Sequence, residues 1–85
     1  MNSRPIKRSL TLKGHRTSVS LEDAFWLAFR QIAREQNVSI NVLAAEIDTA
    51  RGFETGLASA IRIFILKDLQ TKCTDAAPDS NTKFG

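Results

Sequence analysis

The sequence contains a single cysteine, Cys73, so it cannot form an internal disulfide. Small secreted domains held together by disulfides carry an even set of cysteines. Unbroken apolar runs are short, such as the one from Ile63 to Leu66, whereas about 20 residues are needed to span a bilayer. The basic N-terminal residues are not followed by the apolar stretch of a secretory signal. We therefore expect a cytoplasmic protein without membrane contact.

Residues for catalysis or metal binding are few. The only histidine, His15, lies far in sequence from Cys73, so a Cys–His nucleophile pair is not expected. A zinc site requires more ligands of these types. The four glycines are too dispersed for a phosphate-binding loop, and solvated helix faces explain the scattered carboxylates. We expect neither enzymatic activity nor a cofactor or metal.

The chain is short, with 85 residues of which 42% are hydrophobic and 25% charged, values typical of one small folded domain. A core of this size has little apolar area, and without disulfides or a metal the remaining way to bury more is oligomerisation. We therefore expect a homodimer. The sequence predicts a domain over residues 1–72 and a flexible tail over residues 73–85, which show no hydrophobic period.

The positive charge is concentrated at the N-terminus. The net charge is +3, yet residues 1–21 contain five basic residues and no acidic one. Clustered lysines and arginines indicate a polyanionic partner such as double-stranded DNA. The alternative is a solvated basic arm that binds nothing.

Apolar and polar residues alternate over residues 7–12 and 16–21, which predicts two half-buried strands. Lys13-Gly14 lies between them and suits a two-residue hairpin turn. Such a turn pairs Leu12 with His15, which makes a structural role for this histidine the preferred interpretation. The same register sorts the strands into a buried face of Leu10, Leu12, Val19 and Leu21 and a solvated face of Lys7, Ser9, Thr11, Arg16, Ser18 and Ser20.

Helical periodicity follows the predicted hairpin. Ser20 is a candidate N-cap for a first helix that closes near Asn37, and Ser39 is a candidate N-cap for a second helix that extends to about Ala50. Residues 51–56 contain two glycines and predict a loop.

A third helix is predicted from about Thr55 to about Gln70, and Phe53 is the expected anchor of the loop before it. The apolar residues of this helix cover a wide arc of its surface, which is hard to bury within so small a chain. The main stripe consists of Leu57, Ala60, Ile61, Phe64, Ile65 and Leu69.

The order of these elements resembles a known family. Residues 16–21 (RTSVSL), 24–25 (AF), 32–35 (IARE) and 38–41 (VSIN) are similar to the ribbon-helix-helix fold of the MetJ/Arc repressor superfamily. Residues 13–18 (KGHRTS), 25–26 (FW) and 59–62 (SAIR) further resemble a bacterial subfamily with an extended N-terminus and an extra C-terminal helix. The resemblance implies a mainly α fold with a short N-terminal β-ribbon, a third helix and an intertwined homodimer.

The resemblance also implies a way of binding DNA. The ribbon strands of the two chains would pair antiparallel and enter the major groove, with Arg16, Ser18 and Ser20 contacting bases. Ser39 and Asn41 match positions that hold a phosphate at the N-terminus of the second helix. The alternatives are that the serines are plain solvent-facing strand residues and that Ser39 is only an N-cap.

The role of residues 7–12 stays open in the sequence. If they form a hairpin strand, a dimer would have four strands, which is wide for a DNA groove, and DNA would have to meet the ribbon differently or not at all. Alternatively, they form a basic arm in which Lys7 and Arg8 contact phosphates.

We therefore expect a DNA-binding transcriptional regulator. One alternative is the antitoxin of a toxin–antitoxin pair. Another is a dimerisation or interaction module without DNA binding, whose third helix meets a protein partner through Ile61, Phe64 and Ile65. For that helix we favour packing on the core of the dimer.

Overall fold

A computed structural model describes residues 4–52 and 54–76 of the chain. Two antiparallel strands form an N-terminal hairpin, and three helices follow, so the fold is mainly α with a short β-ribbon, as predicted. The expected loop anchor, Phe53, lies outside the described residues. The elements are β1 (Ile6–Leu12), β2 (His15–Leu21), α1 (Asp23–Gln36), α2 (Ile40–Ala50) and α3 (Leu57–Ala76).

The hairpin has the predicted register. Leu12 lies opposite His15, and each further pair follows in step to Ile6 opposite Leu21. At the turn, φ is 53° for Lys13 and 84° for Gly14. Positive φ at both central residues defines a type I′ turn, whose twist matches that of the paired strands. Residues 7–12 are therefore a strand of the hairpin and not an extended arm.

The inner face of the hairpin covers the helices. Its four predicted core residues are all buried, and β1 packs beside α2 while β2 packs beside α3. Helix α1 contacts both other helices. The resulting single core consists of Leu10, Leu12, Val19, Leu21, Phe29, Ile32, Ala33, Leu43, Ala44, Ile47, Ile61 and Ile65.

Helix α1 begins later than the sequence predicts. Its N-cap is Glu22, whose side chain makes no capping hydrogen bond, and Ser20 belongs to β2, so the prediction of a Ser20 cap is wrong. Leu21, the last residue of β2, is completely buried on the inner face of the hairpin, so the strand extends past Ser20. At its other end α1 is capped by Asn37, as predicted, and this residue has the left-handed conformation with φ 61°.

Helix α2 has the predicted cap. The Ser39 hydroxyl accepts a hydrogen bond from the backbone N–H of Val42 at 3.1 Å. This bond satisfies one of the N–H groups that have no partner within the first turn of a helix.

Helix α3 is longer than predicted. It extends to Ala76, past Gln70 and past the expected start of the tail at residue 73, and residues 77–85 lie outside the described part. Near its end Lys72 forms ion pairs with Asp68 of the same helix, at 2.8 Å, and with Glu35 of α1. The pair with Glu35 links the last turns of α3 to α1, and the hydrophobic period does not show it.

The third helix packs on a core, as preferred, and this core is formed within one chain. Ile61 and Ile65 are 0% and 2% exposed and belong to the core of the chain itself. They are therefore not available to a protein partner, and that part of the interaction-module alternative is wrong. Within residues 4–52 and 54–76, none of the helices combines the length and the apolar character that crossing a membrane requires.

We predict that Gly14→Ala destabilises the protein by about 1–2 kcal/mol, because an L-residue with a Cβ is strained in the left-handed region. Gly52→Ala is the matched control, since a Cβ there also meets no neighbouring atom and its φ is not positive. We expect its effect to stay within about 0.5 kcal/mol. Urea unfolding followed by circular dichroism measures both, and equal effects would contradict the turn geometry.

Candidate nucleic-acid interface

The face of the hairpin that points away from the helices is entirely polar. We call it the outer face. Cross-strand partners share a face, and here they are Thr11 with Arg16, Ser9 with Ser18, and Lys7 with Ser20. All six side chains are exposed, and they provide two cations, four hydroxyls and no carboxylate. Hydrogen-bonding groups of these types can contact both base edges and phosphates.

The three predicted base-contacting residues lie together on this surface. Arg16, Ser18 and Ser20 are alternate residues of β2, so their side chains follow one another along the outer face. The backbone carbonyl of Ser20 accepts a hydrogen bond from the Arg62 guanidinium at 3.3 Å, while the Ser20 side chain remains exposed.

The N-terminus of α2 lies beside β1. The Asn41 side-chain oxygen accepts a hydrogen bond from the backbone N–H of Thr11 at 3.0 Å, and Ser39 caps the same helix two residues earlier. The structure therefore brings the predicted phosphate-binding end of α2 close to the ribbon. Sequence spacing does not show this proximity, because residues 11 and 41 belong to separate elements.

Arg8 is separated from the predicted interface. It lies opposite Val19 and therefore on the inner face. Its guanidinium donates to Asp23 Oδ1 at 2.5 Å and to the Leu21 carbonyl at 3.3 Å, and it stacks 5.3 Å from the centre of the Trp26 ring. The phosphate role expected for Arg8 supposed a basic arm, whereas the observed strand turns this side chain inward.

Arg62 of α3 has a matching environment. It donates to Glu22 Oε1 through two nitrogens, at 2.9 and 3.1 Å, and lies 5.5 Å from the centre of the Phe25 ring. Each arginine thus pairs with one acid at the start of α1 and stacks on one aromatic ring. We call this arrangement the arginine clamp; it consists of Arg8, Arg62, Glu22, Asp23, Phe25 and Trp26.

The arginine clamp connects β1 and α3 to the start of α1 and fixes the ribbon relative to the helices. Sequence analysis missed it. The signal present in the sequence is the pair of acids at residues 22–23 followed by the pair of aromatics at residues 25–26. Periodicity does not show that Arg62 reaches them, since it lies 40 residues after Glu22.

Two carboxylates, Glu22 and Glu35, are held in their charged form. A hydrogen bond from its own backbone N–H, followed by one from Arg62, lowers the pKa of Glu22 below its ordinary value. The Lys72 ammonium lowers the pKa of Glu35, and Asp68 together with Glu35 raises the pKa of Lys72. In the part of the chain that is described, no group of three or more potential metal ligands lies together.

A family model described as "Ribbon-helix-helix domain" matches residues 5–69. The chain belongs to the ribbon-helix-helix domain family. The match includes β1 and most of α3, so both are parts of this ribbon-helix-helix domain and not additions to it. Domains of this family are generally non-enzymatic DNA-binding regulators or antitoxins. No curated protein and no solved structure matched the chain.

We predict that Arg8→Ala destabilises the ribbon-helix-helix domain by roughly 1–3 kcal/mol, because it removes hydrogen bonds made by a charged group that is 17% exposed. Lys7→Ala is the control, since its side chain lies on the exposed outer face. Its effect on stability is expected to stay below about 0.5 kcal/mol. Chemical denaturation compares the two variants, and an unchanged stability of Arg8→Ala would refute the structural role.

We also predict that the stabilisation due to Glu22 depends on pH. A carboxylate with a lowered pKa stabilises the fold above its ordinary pKa, near 4.5, and loses this contribution as the pH falls through the lowered value. Glu22→Gln is therefore expected to lower the Tm at pH 7 and to differ less from the wild type at pH 3.

Glu46→Gln is the control for this experiment, because Glu46 is an exposed carboxylate on α2. Thermal unfolding at both pH values gives the comparison. A Tm difference for Glu22→Gln that is the same at pH 7 and pH 3 would contradict the ion pair with Arg62.

Proposed function

We propose that this ribbon-helix-helix protein is a DNA-binding transcriptional regulator that contacts the major groove with its β-ribbon. The observation that carries the proposal is the outer face, where six exposed polar side chains include two cations and no carboxylate. A two-stranded β-ribbon is one of the elements that the major groove accepts. Glu22 and Asp23, the acidic residues that directly follow the ribbon in sequence, are paired with arginines of the clamp.

Each residue of the interface has a chemically defined role in the proposal. Arg16 donates two hydrogen bonds to guanine O6 and N7, and Ser18 and Ser20 contact further base edges. Lys7 neutralises a phosphate at the end of the ribbon that is remote from the turn. The N-terminus of α2 holds a second phosphate, with Ser39 and Asn41 beside its free backbone N–H groups. Arg8 is given no DNA role, because it lies on the inner face with its guanidinium bound to Asp23.

The proposal includes a homodimer in the bacterial cytoplasm. Members of the family typically bind DNA as dimers. Large apolar side chains about half exposed are a second support, since contact with another copy would remove them from water. They are Leu27, Val42, Ile63, Leu66 and Leu69. A dimer would bind a site made of two half-sites.

The antitoxin function receives less support. It assigns the C-terminal segment to a toxin, yet α3 is a folded part of the domain whose Ile61 and Ile65 complete the core. In a regulator, α3 needs only to complete the core of the domain. In an antitoxin, it would also need a surface for the toxin outside Ile61 and Ile65.

Fluorescence anisotropy tests the function directly. The full chain is titrated into the DNA upstream of its own gene and into a scrambled duplex at two salt concentrations. Specific binding that weakens with salt is the expected result. Absence of binding to either duplex at low salt would refute the proposal, and equal weak binding to both would refute a sequence-specific contact with this DNA.

We predict different effects for the two cations of the outer face. Arg16→Ala is expected to reduce discrimination at one base pair of each half-site by about 1–3 kcal/mol. Lys7→Ala is expected to weaken binding to all sequences equally and to reduce the salt dependence. Titrations against single-base operator variants distinguish the two effects, and identical behaviour of the two variants would refute these roles.

A further inference from the structure

The strand β2 has an open edge. The Thr11 N–H donates to a side chain of α2 and the Ser20 carbonyl accepts from a side chain of α3, so both groups point away from the hairpin ladder. Because outward and inward groups alternate along an antiparallel pair, the backbone groups of Arg16 and Ser18 also point outward from β2. Among the described residues, none outside the hairpin hydrogen-bonds to them. Such a row is a template for another strand.

The two edges of the hairpin differ in what they offer a second copy. At the β1 edge the single hydrogen of the Thr11 N–H is already donated to Asn41, and Lys13 of the turn donates to Thr49 of α2. At the β2 edge the contact from α3 is to a carbonyl, which has a second lone pair and can accept another hydrogen bond. The proposed homodimer therefore has its better pairing edge on β2.

Antiparallel pairing of two β2 strands is best centred on Ser18. This register places Ser18 opposite Ser18 of the second copy and Arg16 opposite Ser20. The outward groups of all three residues are then paired. The two Arg16 side chains also avoid directly opposite positions, where like charges destabilise a sheet. The dimer then contains a sheet of four strands, with the two β2 strands at its centre and a β1 strand at each side.

The width of this sheet places β1 at the rims of the major groove. Neighbouring strands lie about 4.8 Å apart, so each β1 strand lies about 7 Å from the centre of the sheet. A major groove about 12 Å wide has its walls about 6 Å from its centre line. The central β2 pair therefore faces the base edges, while the outer-face side chains of β1 face the phosphates. Only the central two strands have to enter the groove.

We propose that Ser9 and Thr11 of β1 bind phosphates at both rims of the major groove, on either side of a central pair of β2 strands from two copies. This inference rests on the proposed DNA-binding function. The two hydroxyls are exposed and continue the row of outer-face side chains that Lys7 begins on β1. Hydroxyl side chains are common phosphate ligands, and such contacts add affinity without sequence preference. The strand β1 therefore strengthens binding, while β2 selects the sequence.

Titrations of three variants separate these roles. Selection from random duplexes gives the site that the full chain prefers, and fluorescence anisotropy compares this site with a scrambled duplex. We expect Ser9→Ala and Thr11→Val each to weaken binding to both duplexes by the same factor, roughly threefold or more. Ser18→Ala is expected to weaken binding mainly to the preferred site. Thr71→Val, at an exposed position of α3, is the matched control and is expected to bind like the wild type.

Replacement of single phosphates by neutral methylphosphonates tests the contact itself. At a contacted position the replacement weakens binding of the wild type, whereas a variant that has already lost the contact is insensitive to it. We expect Thr11→Val to be insensitive at one rim phosphate of each half-site. This variant keeps the backbone N–H that donates to Asn41. Sensitivity equal to that of the wild type at every position would overturn the phosphate role of Thr11.

The outcomes separate this inference from the proposed function. If Ser9→Ala and Thr11→Val bind both duplexes as tightly as the wild type, or if they lose preference at particular base pairs, the phosphate role of β1 is overturned and DNA binding stands. If the wild type binds neither duplex at low salt, the proposed function is overturned and this inference with it.

A cross-link tests the order of the strands without DNA. In the register centred on Ser18 the two Ser18 Cα atoms lie about 5.5 Å apart, which suits a disulfide. The two Ser9 positions lie about 14 Å apart, which is too far. Both cysteine variants carry Cys73→Ser, since Cys73 is an exposed free cysteine.

We expect Ser18→Cys to give a covalent dimer on oxidation and Ser9→Cys to remain unlinked. Non-reducing electrophoresis distinguishes the products. Absence of the Ser18→Cys dimer, or formation of a Ser9→Cys dimer, would overturn the arrangement with β2 at the centre and β1 at the rims.

Discussion

The pairing of β1 with β2 within one chain is the constraint on which the other features depend. Side chains alternate along a strand, so a shift of one residue would exchange the buried leucines with the serines and Arg16. The type I′ turn at Lys13-Gly14 sets the register, and the burial of Leu10, Leu12, Val19 and Leu21 selects the same one. Because the turn and the burial of these four residues favour the same register, every polar residue of the outer face is exposed.

The arginine clamp fixes the position of the ribbon relative to the helices. Arg8 from β1 and Arg62 from α3 meet the first turn of α1 on adjacent acids and adjacent aromatic rings. Two consequences follow for DNA binding. The carboxylates of Glu22 and Asp23 are neutralised near a surface proposed to bind a polyanion, and the ribbon is oriented before it meets DNA, so less conformational freedom is lost on binding.

Membership of the ribbon-helix-helix domain family supports nucleic-acid binding. The proposed homodimer would place the polar strands of two chains on one DNA site. The half-exposed apolar residues of α3, Ile63, Leu66 and Leu69, are consistent with an assembly through helices.

The sequence by itself determined the order of the elements, the hairpin register, the two faces of the ribbon and the Ser39 cap. These features depend on residues that are close in sequence. Apolar residues recur every two residues in a strand and about every 3.6 residues in a helix, and this repeat indicates which side is buried. Only the tertiary structure decided that the N-cap of α1 is Glu22 and not Ser20, that α3 extends to Ala76, and that Arg8 turns inward to Asp23. It also decided that Asn41 meets the edge of β1. Each of these depends on a contact between distant segments, such as Lys72 with Glu35 or Arg62 with Glu22, and such contacts leave no period in the sequence.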